Sequence, residues 1–509
     1  MTYLIGVDVG TQSVRSCLFD LEGTMVASAT RPLATTYPKP AWAEQDAEAW
    51  WRGAVETLQE IMQTSRVHPK DVVGVSYDCT ACTVVALAED GTPLRPALLW
   101  MDERAHAEAD EASATGHEVL RYCGGKVSPQ WMIPKGRWLE RHEPALFAGA
   151  RWIVDATDFF TFRLTGRMTA SLNAATAKWN YVRPLGGWPQ AFLRAAQAER
   201  LAEKWPTEVL PVGLPLGRLR EAVAREVGLS PETMVAQGGI DAHAGEIALG
   251  AVGPGDLALI LGSSTCHMAQ SPTPVFANIW GPYPDALVDG MYTLEGGQTA
   301  TGSILQWLVE RFGSEAVVQA TSRGQEVYAY LDGLAEAIPA GSEGLLALDY
   351  FQGNRTPYKD PLARGTVVGL TLKHTLVHLY RAVVEGICFG TRQILDDMAT
   401  HGFALERIVA GGGGAKSRLW TQIQADVLGR PIHLPRDKET MALGAAIWAG
   451  LGAGVFKTYQ DAIGRMVHIE RAVAPVPERR AAYDTLYREY VDLYPAVRGT
   501  MHRLAKLAS

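Results

Sequence analysis

Residues Tyr3–Arg31 have the sequence YLIGVDVGTQSVRSCLFDLEGTMVASATR, and this stretch decides the fold. Its apolar beginning, which ends in Asp8, predicts a first strand, and the alternation over Ser13–Asp20 predicts a second. A third strand is expected after the turn at Glu22 and Gly23. The pattern therefore predicts a meander of short strands with a carboxylate at the start of its first turn.

The turn Gly10-Thr11-Gln12-Ser13 follows Asp8 and fits two roles. In an ordinary hairpin, Gly10 supplies a backbone angle that other residues resist, and the polar residues face water. In a phosphate-binding turn, the backbone N–H groups and the hydroxyls of Thr11 and Ser13 face phosphate oxygens. Arg15 then adds positive charge and Asp8 holds a divalent metal. Taken alone, so short a motif favours the hairpin, so partners elsewhere in the chain must decide.

Length and composition restrict the class of protein. A chain of 509 residues with 47% apolar and 20% charged residues is expected to form two large α/β domains. The net charge of −8 argues against a nucleic-acid partner. Six cysteines, with no secretory segment at the N-terminus, predict free thiols and a cytoplasmic location. The pair Cys79 and Cys82 has redox or zinc spacing, but it lies in a strand-like run without a second pair, which favours a structural role.

The uncharged stretch Thr440–Phe456 has the sequence TMALGAAIWAGLGAGVF. It is shorter than the ~20 apolar residues that a membrane-spanning helix needs, and glycines interrupt it. We therefore expect a small-residue helix packed closely against a sheet, and no membrane partner.

A second strand, hydroxyl-containing turn and strand occurs in GDLALILGSSTCHMAQS at residues 255–271. Because it repeats the pattern of residues 3–19, we expect two similar domains that face one another across a cleft. The joint is predicted at Gly253-Pro254-Gly255, which divides the chain into domains 1–252 and 256–509.

Two further places carry chemistry, each with a plainer alternative. Asp241 stands where a strand gives way to a helix, and it is either a helix cap or the base that accepts a hydroxyl proton in a kinase. The run of four glycines from Gly411 precedes Ser417, which can cap the next helix. This run matches neither common nucleotide-loop motif, so it serves either close helix packing or the approach of a base or phosphate to bare backbone.

Four motifs in order resemble the FGGY carbohydrate kinases: DVGTQSVR at 8–15, GGIDAHAG at 238–245, GSSTCHM at 262–268 and GGGGAKSRLWTQIQADVLGRP at 411–431. The resemblance extends over about residues 3–450. It implies an α/β fold with two actin/hexokinase-like (ribonuclease H-like) ATPase domains facing across a cleft, the sugar mainly on the first domain and ATP on the second. It also implies Mg²⁺ as a cofactor and closure of the cleft during the reaction.

The resemblance also assigns roles to individual positions. It makes Asp241 the catalytic base and orients Asp8 and Asp241 toward the metal. The residues implied to bind ATP are Gly10, Thr11, Gln12, Ser13 and Arg15 in the first phosphate loop, Gly262, Ser263 and Ser264 in the second, and Gly411, Gly412, Gly413 and Ser417 on the adenosine side.

Lys178, Glu295 and Asp78 resemble the sugar contacts of the ribulose-type kinases in this family. The neighbours of Asp78, Tyr77 and Cys79, depart from the family pattern, which leaves the size of the pocket open. We expect a kinase for a ketopentose such as D- or L-ribulose. Kinases for xylulose or for a polyol such as erythritol or ribitol are the alternatives, as is a nucleotide-switched regulator or chaperone of the same fold. A homodimer is a candidate assembly.

Overall fold

The computed structural model describes residues 1–436 and 440–507 and places them in an α/β fold with two seven-stranded sheets. The strands of the N-terminal half are Tyr3–Val9 (β1), Ser13–Asp20 (β2), Met25–Pro32 (β3), Glu44–Gln45 (β4), Val72–Cys79 (β5), Val84–Leu87 (β6), Ala97–Leu98 (β7), Trp152–Asp155 (β8), Ala170–Ser171 (β9), Val209–Leu210 (β10), Pro215–Arg218 (β11), Met234–Ala236 (β12) and Gly239–Ile240 (β13). Its helices are Ala47–Ser65 (α1), His106–Ala114 (α2), Met132–His142 (α3), Pro144–Gly149 (α4), Ala156–Thr165 (α5), Leu172–Lys178 (α6), Gln190–Ala195 (α7), Glu199–Ala202 (α8), Glu221–Val227 (α9) and Asp241–Ala248 (α10).

The C-terminal half continues with the strands Asp256–Leu261 (β14), Thr265–Ser271 (β15), Trp280–Pro284 (β16), Tyr292–Gln298 (β17), Leu346–Leu348 (β18), Thr366–Val368 (β19), Arg407–Gly411 (β20), Ile432–Pro435 (β21) and Ile469–Val473 (β22). Its helices are Gly302–Phe312 (α11), Ser314–Ser322 (α12), Val327–Ala335 (α13), Leu376–Thr400 (α14), Arg418–Leu428 (α15), Thr440–Gly452 (α16), Tyr459–Met466 (α17) and Pro477–Leu507 (α18).

The N-terminal sheet has the order β11-β12-β5-β1-β2-β3, and β13 also pairs with β5. The predicted hairpin is confirmed, since β1 runs antiparallel to β2 and β2 antiparallel to β3. The carboxylate of Asp46 accepts the N–H of Glu48 at 3.0 Å and caps α1.

The C-terminal sheet repeats the central arrangement of the first. It has the order β16-β17-β15-β14-β20-β21-β22, in which β14 is antiparallel to β15 and parallel to β20, as β1 is to β2 and β5. The turns β1–β2 and β14–β15 therefore hold corresponding places in the two sheets, as the repeated sequence pattern predicted.

Helix α16 packs on the sheet of the other half, against β1 and β5. A Cβ added to Gly6 would lie 1.8 Å from the carbonyl oxygen of Ala442, and one added to Gly74 would lie 2.6 Å from that of Ala449. The backbones approach this closely only because these positions are glycine. The predicted small-residue helix on a sheet is confirmed, and no helix among the described residues is long and apolar enough to cross a membrane.

Candidate active site

A cavity of about 520 Å³ opens where the two halves meet. Both halves supply its walls, and its lining includes Thr80, Ala81, Cys82, Trp100, Met101, Glu103, Gln130, Trp131, Lys178, Asp241, His243, Gly262, Ser264, Cys266, Trp280, Glu295, Thr299, Gln352 and Arg355. Among the sequence-predicted residues, the structure thus brings Asp241, Lys178, Glu295, Gly262 and Ser264 to one cavity.

Asp241 is the first residue of α10, directly after β13, and is half-buried. The N-cap position belongs to Ile240, and one carboxylate oxygen of Asp241 accepts the N–H of Ala242 at 2.7 Å. The carboxylate thus accepts a first-turn N–H of α10 from within the helix and not from the N-cap position. Burial, followed by the charge of Asp8, raises the pKa of Asp241 to about 7, so this group can exchange a proton near neutral pH.

Asp8 and Asp78 lie side by side on the parallel strands β1 and β5, and Arg15 faces Asp8 from β2. Asp78 is fully buried, and neither of its carboxylate oxygens has a hydrogen-bond partner among the described residues. Burial and then the charges of Asp8 and Asp241 hold the pKa of Asp78 well above its ordinary value. Asp78 lies beside Asp8 in the sheet and is not among the residues that line the cavity, where a sugar contact was expected.

This carboxylate pair fits a divalent cation, since it combines unpartnered buried oxygens with a second carboxylate. Within residues 1–436 and 440–507, no group of three or more His, Cys, Asp or Glu residues is arranged to hold a metal. Mg²⁺ commonly binds through one or two carboxylates and completes its shell with water and phosphate oxygens, and Asp8 and Asp78 offer two neighbouring carboxylates of this kind.

The first predicted phosphate loop is held by its own backbone and by two neighbours. The N–H of Gly10 donates to the carbonyl of Ser13 at 3.0 Å, and the side-chain amide of Gln45 donates to the carbonyl of Thr11 at 2.6 Å. The indole of Trp100 donates to the hydroxyl of Thr11 at 2.9 Å. A Cβ at Gly10 would make only ordinary contacts at 3.5 Å, and its φ is not positive. The hairpin explanation for Gly10, a backbone angle that needs glycine, is therefore wrong.

The second predicted phosphate loop, residues 262–264, joins β14 to β15. The N–H of Gly262 donates to the carbonyl of Ser264 at 2.9 Å, much as Gly10 does in the first loop. The N–H of Thr301 donates to the carbonyl of Ser263 at 2.8 Å, and a Cβ on Gly302 would come within 2.5 Å of the carbonyl of Gly262. The start of α11 thus holds this loop against the cavity.

The glycine loop after β20 lies apart from the cavity. Gly412 has φ +86° and lies against the backbone of Leu261, which only glycine allows, whereas a Cβ on Gly413 would meet nothing. The hydroxyl of Ser417 accepts the N–H of Trp420 at 3.0 Å and donates to Asp332 at 2.6 Å. Ser417 is thus the cap of α15, and Gly412 is needed for packing, while Gly413 leaves open backbone.

The remaining sequence-predicted residues lie outside the cavity lining. They are Asp8, Gly10, Thr11, Gln12, Ser13, Arg15, Asp78, Ser263, Gly411, Gly412, Gly413 and Ser417. The first loop nevertheless reaches the cavity through Trp100, which contacts Thr11 and forms part of the wall.

Lys178 and Glu295 form an ion pair across the two halves. Lys178 ends α6, Glu295 lies on β17, and their charged atoms are 2.7 Å apart. The hydroxyl of Tyr283 donates to Glu295 at 3.1 Å, and the ammonium lies 4.4 Å from the ring centre of Trp280. Burial alone would raise the pKa of Glu295, but the ammonium of Lys178 outweighs it and lowers this pKa. The pair therefore presents a fixed donor and a fixed acceptor to a polar ligand.

Most of the cavity wall was not predicted from the sequence. Trp100, Glu103, Gln130, Trp131 and Arg355 all line it. The side-chain amide of Gln130 donates to Glu103 at 3.2 Å, and Trp131 packs edge-on against Trp280. In the sequence these residues lie among other aromatic and charged residues, so no local signal separates them from core or surface positions.

Lys135, on α3, fastens two segments of this wall together. It is fully buried, and its ammonium donates to the carbonyls of Cys82 at 2.9 Å and Leu99 at 2.5 Å. Cys82 has the unusual φ of +60°, and Trp100 directly follows Leu99. One buried cation thus holds the turn at Cys82 against the turn at Trp100. A lysine in a helix that also contains Arg137, Glu140 and Arg141 carries no sequence signal for such a role.

Glu246, also on α10, provides a stability prediction. It is fully buried and accepts the side-chain amide of Gln270 at 2.9 Å, and burial raises its pKa to about 8. The folded state therefore keeps a proton that the unfolded state loses above its ordinary pKa near 4.5, so stability falls as the pH rises from 4.5 to 8. Glu246→Gln keeps the acceptor without the charge and should raise the free energy of unfolding at pH 8 by at least about 2 kcal/mol.

Thermal unfolding of both proteins at pH 5 and pH 8 checks this prediction. The midpoint difference should be large at pH 8 and should shrink at pH 5, where the carboxyl of Glu246 is protonated in the wild-type protein. An equal difference at both pH values would contradict the prediction.

Comparison with known proteins identifies the family and several similar chains. The models of the FGGY family of carbohydrate kinases match residues 3–248 with their N-terminal domain and residues 257–453 with their C-terminal domain. A ribulokinase from Anoxybacillus flavithermus is 33% identical over 531 residues, which cover 97% of this chain and 94% of that protein. An FGGY carbohydrate kinase domain-containing protein from Homo sapiens is 33% identical over 533 residues, which cover 96% of each chain.

A solved structure agrees as well. The crystal structure of xylulose kinase from Rhodospirillum rubrum superposes with a TM-score of 0.87 at 32% identity, covering 98% of this chain and 100% of that one. The predicted fold, two actin/hexokinase-like ATPase domains, is confirmed. The expectation of an enzyme that phosphorylates a carbohydrate with ATP as the phosphoryl donor is confirmed with it. The chain belongs to the FGGY family of carbohydrate kinases.

Proposed function

We propose that this kinase transfers the γ-phosphoryl group of ATP to a hydroxyl of a ketopentose, with ribulose as the leading substrate. The observation that carries the proposal is the shared cavity, which brings Asp241, the Lys178–Glu295 pair and the second phosphate loop together. A polar pocket with a base and a phosphate loop is what sugar phosphorylation requires.

In the proposed reaction, Asp241 accepts the proton of the attacking sugar hydroxyl, whose oxygen forms the new bond to the γ-phosphorus. The bond between that phosphorus and the β,γ-bridging oxygen breaks, and ADP leaves. Lys178 donates to a keto or hydroxyl oxygen, and Glu295 accepts from a hydroxyl, so that the sugar is held in one orientation. Their close ion pair supports this role, because both groups are already in place before the sugar binds.

The two hydroxyl-rich turns are proposed to hold the phosphates of ATP from opposite halves, with the glycine loop after β20 on the adenosine side. Asp8, supported by Arg15 and Asp78, would hold Mg²⁺, which neutralises phosphate charge when bound. Asp78 lies beside Asp8 and outside the cavity lining. We therefore propose that Asp78 does not contact the sugar and affects sugar binding only through Asp8 and the metal that Asp8 holds.

Xylulose is the second candidate substrate, since the xylulose kinase of Rhodospirillum rubrum is as similar to this chain as the ribulokinase is. A regulator or chaperone of the same fold is less well supported, because a nucleotide switch has no use for a half-buried base beside a fixed Lys–Glu pair. The six cysteines, all free thiols, support a cytoplasmic location as part of the same proposal.

A coupled assay of ADP release tests the substrate directly. The purified protein with ATP and Mg²⁺ is offered D- and L-ribulose, D- and L-xylulose, erythritol and ribitol, each against a no-sugar blank. We expect kcat/KM to be at least about tenfold higher for one ribulose isomer than for any xylulose or polyol. A xylulose isomer in first place would overturn the substrate, and no sugar-dependent ADP release from any compound would overturn the kinase proposal itself.

A further inference from the structure

Trp100 touches both parts of the proposed site. Its ring forms part of the cavity wall, and its indole N–H donates to the hydroxyl oxygen of Thr11 at 2.9 Å. Both residues are half-buried. Trp100 follows β7 at a distance of 89 residues from Thr11, so the contact is made by the tertiary fold.

The chemistry of this hydrogen bond fixes the direction in which the hydroxyl of Thr11 points. An indole N–H is a donor only, so the oxygen of Thr11 must accept, and its own O–H remains available to donate elsewhere. The carbonyl of Thr11 is taken by the amide of Gln45, whose oxygen in turn accepts the indole N–H of Trp50 at 2.8 Å. Thr11 is thus held on both its backbone and its side chain, with one donor left to offer.

We propose that Trp100 is a positioning residue that couples the sugar cavity to the first phosphate loop. Its ring contacts the sugar, and its N–H orients the hydroxyl of Thr11 so that the hydroxyl donates to a phosphate oxygen of ATP. This inference rests on the proposed function, since it takes the cavity as the sugar site and the loop as a phosphate site. A sugar that presses on the ring then stabilises the hydrogen bond to Thr11, so each substrate favours the binding of the other.

The Trp100→Phe variant tests the proposal, because it keeps an aromatic side chain in the wall and removes the N–H donor. At saturating ribulose, or whichever sugar proves best, we expect KM for ATP to rise about fivefold, as befits one lost hydrogen bond, and KM for the sugar to stay within about twofold. ADP affinity, measured by calorimetry with and without sugar, should increase with sugar in the wild-type protein and lose that increase in the variant.

Thr11→Val removes the other partner and provides a second route should the tryptophan variant fold poorly. It should reproduce the loss in ATP binding, and the double variant should be no worse than Thr11→Val alone, because one hydrogen bond cannot be lost twice. Trp131→Phe is the matched control, since Trp131 also forms part of the wall but packs on Trp280. It should leave KM for ATP unchanged.

The outcomes separate this inference from the proposed function. A wild-type protein that phosphorylates no sugar would overturn both. A wild-type protein that phosphorylates a sugar, together with a Trp100→Phe variant that keeps the wild-type KM for ATP and the sugar-dependent gain in ADP affinity, would overturn the coupling alone. Additive losses in the double variant would also overturn the coupling.

Discussion

Replacing Asp241 with asparagine is expected to lower kcat by at least about a thousandfold while ATP and sugar still bind with constants within about threefold of the wild type. Asparagine keeps the oxygen that accepts the N–H of Ala242 at 2.7 Å, so the start of α10 should be unchanged. What is lost is the group that accepts the hydroxyl proton. Single-turnover rates with calorimetric binding constants measure the two effects separately.

The same residue predicts a pH dependence. Burial and the charge of Asp8 raise the pKa of Asp241 to about 7, and only the ionised form is a base. The kcat/KM of the wild-type protein should therefore fall as the pH decreases below about 7 and level off above it. The residual activity of Asp241→Asn should lack this acidic limb.

Glu246→Gln is the matched control for Asp241→Asn. Both residues are acids on α10 with raised pKa values, but Glu246 contacts Gln270 and is not among the residues that line the cavity. The control should keep kcat within about twofold, since a buried carboxyl that is already protonated resembles an amide. A turnover of Asp241→Asn within tenfold of the wild type would remove Asp241 from the role of base.

The elements that follow from local sequence were predictable. Strand β1 is an apolar run, β2 has an alternating pattern, turn residues stand between the strands, and Asp46 stands just before the apolar stripe of α1. Helix α16 was predictable as a small-residue helix against a sheet. Its position on the sheet of the other half was not, because this depends on Gly6 and Ala442, which are more than 400 residues apart.

The same limit applies to the site. Asp241 and the turn at Gly262 each directly follow a strand-like run, and such changes of pattern are visible in one sequence. The position of Asp78 beside Asp8 depends on the register between β1 and β5. A shift of one residue would move the side chain of Asp78 to the opposite face of the sheet. In the sequence, Trp100 cannot be distinguished from a core tryptophan, because its contact with Thr11 is formed only in the folded protein. Residues that act through long-range contacts therefore escape detection, whereas residues that break a local pattern do not.

Asp8→Asn is expected to lower kcat at least about a hundredfold and to raise the Mg²⁺ concentration for half-maximal activity at least about tenfold. In the sheet, Asp8 lies between Asp78 on β5 and Arg15 on β2. The guanidinium of Arg15 balances the charge of Asp8, whereas the carboxylate oxygens of Asp78 have no hydrogen-bond partner among the described residues. Removing the charge of Asp8 should weaken the hold on the cation, while the Lys178–Glu295 pair and sugar binding should be unaffected. Initial rates over a Mg²⁺ series at fixed ATP measure this shift.

Asp20→Asn is the control for this series, because Asp20 ends β2 of the same hairpin and accepts the N–H groups of Glu22 and Thr24. It should leave the Mg²⁺ dependence unchanged, since asparagine keeps an acceptor for these bonds. If Asp8→Asn also left it unchanged, Asp8 would not be a metal ligand. The first phosphate loop would then be connected with the reaction through its proposed phosphate contacts and the hydrogen bond from Trp100. The Mg²⁺ series tests the charge of Asp8, and the Trp100→Phe measurements test the hydroxyl of Thr11. The two experiments therefore examine two separate contributions of the first phosphate loop.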